Sequence, residues 1–153
     1  MSMPDRLDRR LLSLLQQEGR MTTVELAERV GLSPAAVTER VKLLQRDEII
    51  LGYGARLSPE KLGRGFLAFI EITLDKTTPD VFDRFATAIS RVPDVIECHM
   101  VAGGFDYLVK VRVADMAAYR QLLGEAILAL PGVRETRTYA VMEEVKSSPD
   151  LPV

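Results

Sequence analysis

The chain has 153 residues, 47% hydrophobic and 27% charged, with a formal net charge of −2 and one cysteine. That allows one ordinary domain or two small ones and excludes disordered, collagen-like and disulfide-framework classes. No apolar run approaches the roughly 20 residues of a membrane span, and "MSMPDRLDRRLL" meets Asp5 and Asp8 before any apolar stretch, so a cytoplasmic protein without a secretory signal or membrane partner is expected.

Charge does not announce a nucleic-acid binder. Residues 1–57 carry nine Lys/Arg against eight Asp/Glu, and residues 58–153 eleven against fourteen. A DNA contact in the first part must therefore rest on local placement of cations rather than on a global basic field.

In residues 5–18 leucines fall at 7, 11, 14 and 15, the stripe of a half-buried helix, with Asp5 as cap and Gly19 as stop. Thr22 and Glu25 stand in capping-box spacing ahead of Leu26, Ala27 and Val30, which predicts a short second helix. Gly31 allows a tight turn, and Ser33-Pro34 is an N-cap followed by a first-turn proline, opening a third helix to about Arg46. After it, "IILGYGARLS" reads as two short strands around a glycine-flanked turn. Helix, short helix, tight turn, helix and small hairpin is the order of a winged helix-turn-helix, assigned to residues 1–57.

On the third helix Val37, Val41 and Leu44 point inward, whereas Ala35, Glu39, Lys42 and Arg46 point outward. Small residues near the helix start and a few polar tips suit entry into a major groove. The candidate DNA contacts are Ser33, Ala35, Ala36, Thr38, Glu39, Arg40 and Lys42. Arg40 lies beside the inner stripe, so a fold-holding ion pair competes with a phosphate contact there.

Residues 58–65 form the predicted hinge, and from Gly65 the period changes from 3.6 to 2. "FLAFIEITLD" alternates as a strand, Thr78-Pro79 opens a helix, and "VIECHMVA" and "FDYLVKVRV" alternate on either side of Gly103-Gly104, a type I′ hairpin signal. Asp115 caps a helix running to about Leu130, and a last strand is expected from Val133 to about Val145. The order β-α-β-β-α-β predicts an α+β chain whose residues 66–153 form a ferredoxin-like domain. Leu67, Phe69 and Leu108 fall on the sheet face away from the helices, which favours burial against a second copy.

Enzymatic chemistry finds no support. Cys98 and His99 are adjacent on a strand and point to opposite faces, Glu143 and Glu144 alternate likewise, and no phosphate-binding glycine loop is present. No catalytic residue, metal site or cofactor is assigned. "RGFLAFIEI" has the basic-glycine-aromatic start of an RNA-recognition signature, but Leu67 and Ala68 break its register and it stands on the first strand instead of the third.

The stretches "LDRRLLSLLQQEGRMTTVELAERVGLSPAAVTERVKLLQRDEIILGY", "ECHMVAGGFDYLVKVRVADMAAYRQLL" and "LPGVRETRTYAVMEEVK" together resemble the leucine-responsive/asparagine-responsive (feast/famine) family of transcription regulators, on its leucine-responsive branch. The resemblance covers nearly the whole chain. It implies a DNA-reading winged helix, a C-terminal domain that oligomerises and senses an amino acid, a regulator that responds to leucine or controls amino-acid metabolism, and homodimers assembling to octamers or larger on double-stranded DNA. It also points to an effector site of Met100, Gly103, Gly104, Asp106, Met116, Thr136, Thr138, Tyr139 and Val141. An α-amino acid needs an anion for its ammonium, N–H groups for its carboxylate and an apolar wall, roles suited to Asp106, the glycine turn and the two methionines. Gly104 departs from the branch, which often carries Asp there. The alternatives are the same fold sensing another metabolite, such as proline, lysine or a keto acid, and a ligand-binding subunit that modulates an enzyme.

Overall fold

The computed structural model describes residues 3–153, and the chain divides into two compact units. The first runs to Arg56 and includes the segment 146–153, and the second spans residues 57–145. The first two positions of the predicted 1–57 domain lie outside the described residues, and residues 146–153 of the predicted 66–153 domain join the first unit.

The first unit holds α1 (Arg6–Gln17), α2 (Thr23–Val30) and α3 (Pro34–Arg46). Local chemistry fixes each start. The Asp5 carboxylate accepts from the Asp8 N–H at 2.8 Å while that of Asp8 accepts from the Asp5 N–H at 3.1 Å, and Thr22 and Glu25 repeat the exchange for α2. Gly31, at φ 72°, ends α2 in the left-handed conformation that favours glycine. The Ser33 hydroxyl accepts from the Ala36 N–H at 3.2 Å, with Pro34 opening α3. Leu11, Leu26, Ala27, Val30 and Val37 close the core, as their helical spacing predicts.

The hairpin expected in "IILGYGARLS" does not form. The N–H groups of Ile49 and Ile50 both donate to the Leu44 carbonyl, at 2.9 and 3.0 Å, closing the end of α3 instead of pairing across a turn. Residues 51–57 run on without strand pairing, with Leu51 91% exposed.

The second unit is a four-stranded antiparallel sheet of β1 (Phe66–Leu74), β2 (Val95–Met100), β3 (Tyr107–Val113) and β4 (Val133–Ala140), in the order β2-β3-β1-β4. Between them run α4 (Pro79–Ile89) and α5 (Met116–Leu122). Ala68, Ile70, Ile72, Val109, Val111 and Val113 meet Phe85, Ile89, Tyr119, Leu122 and Ile127 in one core. This is the predicted ferredoxin-like arrangement. Phe85 stacks on Tyr107 with ring centroids 4.3 Å apart, a close aromatic pair at the centre of that core.

Four details differ from expectation. The helix predicted to Leu130 changes at Leu123 into one π-turn, closed by Leu128 N–H to Leu123 C=O at 3.0 Å. The last strand stops at Ala140 rather than Val145. Gly103 and Gly104 do not have the positive φ of a type I′ turn. Six residues, 101–106, connect β2 to β3, because Asp106 is anchored elsewhere, as described below. Finally, Leu67 on the outer sheet face is only 5% exposed within the single chain, leaving Phe69 and Leu108, both half-buried, as the apolar part of that face. Among the described residues no helix is long and apolar enough to cross a membrane.

Candidate functional site

The outer face of α3 is laid out much as its spacing implies. Ser33, Ala35, Glu39 and Lys42 are exposed, and Ala36, Thr38 and Arg40 are half-buried. Ser33 is occupied as the cap, and the Thr38 hydroxyl donates to the Pro34 carbonyl at 2.9 Å. In the first turn of α3 Pro34 has no N–H and those of Ala36 and Val37 donate to Ser33, which leaves the Ala35 N–H for a phosphate oxygen. Lys42 pairs with Glu39 at 2.9 Å, both well exposed, an ion pair too screened to hold the ammonium against a phosphate.

Arg40 behaves differently. Its Nη1 donates to Asp5 at 2.7 Å and to Asp8 at 2.8 Å, the same two carboxylates that cap α1. These hydrogen bonds raise the guanidinium pKa further, and the Asp8 N–H and Arg40 hold the Asp5 carboxyl below the usual range. Arg40 thus ties α3 to the start of α1. Sequence spacing cannot show this, since the partners lie 35 and 32 residues away.

The nine effector candidates do not converge within one chain. The Asp106 carboxylate accepts from the Leu74 N–H at 2.7 Å, and its own N–H donates to the Ile72 carbonyl at 3.0 Å, so the 103–106 turn is fixed to the far end of β1. Thr136 pairs with Ile72 near that end. Met116 follows β3, whose last residue, Val113, pairs with Phe66 at the opposite end of the sheet. Thr138 and Tyr139 lie on opposite faces of β4. The Thr138 hydroxyl is hydrogen-bonded to the buried Tyr119 on the helix side, and the Tyr139 hydroxyl donates to Glu71 at 3.1 Å. Val141 caps the edge, its N–H donating to the Leu67 carbonyl at 2.9 Å. Met100 and Met116 are both more than half exposed. A cleft of about 520 Å³ beside α5, with Arg64 and Asp94 among its lining residues, includes none of the nine.

Comparison with known proteins decides what this pair of units is. Residues 67–151 match the Lrp/AsnC ligand binding domain, and residues 4–50 match a winged helix-turn-helix DNA-binding domain. The chain belongs to the Lrp/AsnC family. It is 54% identical over 149 residues to the leucine-responsive regulatory protein of Escherichia coli K12, covering 97% of this chain and 91% of that one. A transcriptional regulator of Neisseria meningitidis, solved as its L-methionine complex, superposes with a TM-score of 0.93 at 35% identity, covering 98% and 97% of the two chains. A feast or famine regulatory protein of Mycobacterium tuberculosis, also complexed with L-methionine, gives 0.88 at 35% identity, covering 97% and 99%.

This Lrp/AsnC chain is an amino-acid-responsive, DNA-binding transcription regulator and not an enzyme. Among the described residues no group of three His, Cys, Asp or Glu side chains stands ready to hold a metal. Two partners of the candidate residues escape sequence reading, Tyr119 behind Thr138 and Glu71 against Tyr139. Strand register signals Glu71, which faces Arg137 beside the Phe69–Tyr139 pair, whereas Tyr119 sits on α5 and reaches Thr138 only through the packing of that helix on the sheet.

Proposed function

We propose that the effector is a neutral L-amino acid with an apolar side chain, held between copies of the chain, and that its binding shifts a dimer-based assembly of octamer size or larger. The observation that carries this is the separation of the candidate residues. The 103–106 turn and Met116 sit at opposite ends of β3, a seven-residue strand spanning roughly 20 Å at about 3.3 Å per residue. A single amino acid reaches both only if they come from different copies. In this reading Asp106 receives the ammonium, backbone N–H groups of the turn the carboxylate, and Met100 or Met116 the side chain. Thr136, Thr138, Tyr139 and Val141 shape the adjoining strand edge. The L-methionine complexes of the Neisseria and Mycobacterium relatives support the ligand class, and the leucine-responsive relatives keep leucine in it. Sedimentation velocity with L-leucine, L-methionine and L-lysine tests the proposal. An assembly shift with the apolar pair and not with lysine is expected; identical distributions in all conditions would contradict a ligand between copies.

On the DNA side, α3 enters the major groove, with Ala35 and Ala36 allowing close approach, Ser33 and the helix start meeting a phosphate, and Thr38, Glu39 and Lys42 reaching bases or backbone. Lys42→Ala is expected to weaken binding about evenly across duplex sequences and to reduce the slope of log affinity against log salt by about one. A mobility-shift series over several salt concentrations checks this, and an unchanged slope would remove Lys42 from the phosphate contacts.

A further inference from the structure

The segment 146–153 follows the effector unit in sequence yet belongs to the winged-helix unit. Its attachment is specific. The side-chain amide of Gln16 on α1 donates through Nε2 to the Leu151 carbonyl at 2.9 Å and accepts through Oε1 from the Leu151 N–H at 2.7 Å. A carboxamide offers one donor and one acceptor side by side, the pattern that matches both polar groups of one extended peptide residue. Leu151 precedes Pro152, which biases it to the extended conformation this pairing needs. Pro149 and the bond from the Asp150 N–H to the Ser148 hydroxyl at 3.2 Å stiffen the approach. The Leu151 side chain is 70% exposed, so hydrogen bonding rather than apolar burial holds the segment. An attachment of that kind is weak enough to open and close.

We infer that residues 148–152 are a strap that closes on Gln16 and gives the winged-helix unit a second connection to the effector unit. The first connection is the chain at Arg56–Leu57, and the second leaves the effector unit at Val145. With the strap closed, a displacement at the exit of β4 reaches α1 directly. With the strap open, only the 56–57 link remains. This signalling role rests on the amino-acid-sensing reading above, whereas the docking itself does not.

Hydrogen–deuterium exchange on the full-length protein tests the docking. Amides of residues 147–153 are expected to exchange more slowly than a free peptide in the native chain, and about tenfold faster in Gln16→Ala, with Gln17→Ala unchanged. Leu151→Pro, which removes the N–H from the strap while leaving α1 intact, should free the remaining tail amides equally and speed tryptic cleavage after Lys146. Free-peptide exchange in the native chain, or protection that survives both variants, would overturn the strap. DNA affinity with and without L-leucine or L-methionine tests the signalling. The change caused by the amino acid should shrink several-fold in both variants, and an undiminished change overturns the relay. If neither amino acid alters native DNA affinity, the sensing reading fails and the relay with it, while the exchange result still decides the docking.

Discussion

Phe85→Ala should unfold the effector unit at far lower temperature than the native chain, with a loss of about 3–5 kcal/mol. Phe85 is fully buried, stacks on Tyr107 and packs against the inner faces of β1 and β3. Its removal leaves a cavity that a close-packed sheet-and-helix core cannot fill without moving backbone. Whole-domain stabilities are about 5–15 kcal/mol, so the loss is a large fraction of the total. Scanning calorimetry is the check, with the half-buried Phe82 as comparison, since Phe82→Ala should cost clearly less. The first unit has its own core, and its transition should move little. Equal and small effects at both positions would contradict the core assignment.

The second large effect is expected at Asp106. Asp106→Asn retains a carbonyl oxygen for the Leu74 N–H but removes the charge offered to an ammonium, so amino-acid affinity should fall tenfold or more while the melting temperature stays near native. A hydrogen bond to a charged group contributes about 1.5–3 kcal/mol, and about 1.4 kcal/mol is a factor of ten. Asp106→Ala removes both functions and should lose stability as well. Titration calorimetry on the two variants separates anchoring from ligand binding. Undiminished affinity in Asp106→Asn leaves the residue a purely structural role at the end of β1.

These residues also show which features the sequence disclosed. Asp5-x-x-Asp8, Thr22-x-x-Glu25 and Ser33-Pro34 were legible because a cap is satisfied within four residues of chain. The strands of the effector unit were legible because one sheet face is buried, and burial imposes a period of two. What could not be read depends on partners distant in sequence. Gly103-Gly104 looked like a two-residue turn, yet the anchoring of Asp106 to Ile72 and Leu74 draws the connection out to six residues. "IILGYGARLS" had strand-like composition, but a strand exists only where another offers its ladder, and here the first N–H groups are taken by Leu44. Arg40 looked equally suited to a phosphate or a carboxylate, and only the fold brings Asp5 and Asp8 to it.

The candidate sites divide in the same way. The candidate DNA contacts lie on α3 and its cap, so they share a surface by periodicity alone. The effector candidates are scattered over the end of β2, the 101–106 connection, the start of α5 and β4 with the residue after it, and no local spacing reveals whether they meet. Their separation within the chain depends on the fold, and the proposed ligand site between copies rests on it.

The most direct test of amino-acid-controlled DNA binding is footprinting of the native protein on duplexes selected from random sequence, with and without L-leucine and L-methionine. The account predicts protected sites in register with the DNA helical repeat and a protection pattern that one or both amino acids alter at fixed protein concentration. Sequence-independent protection that neither amino acid changes would contradict it.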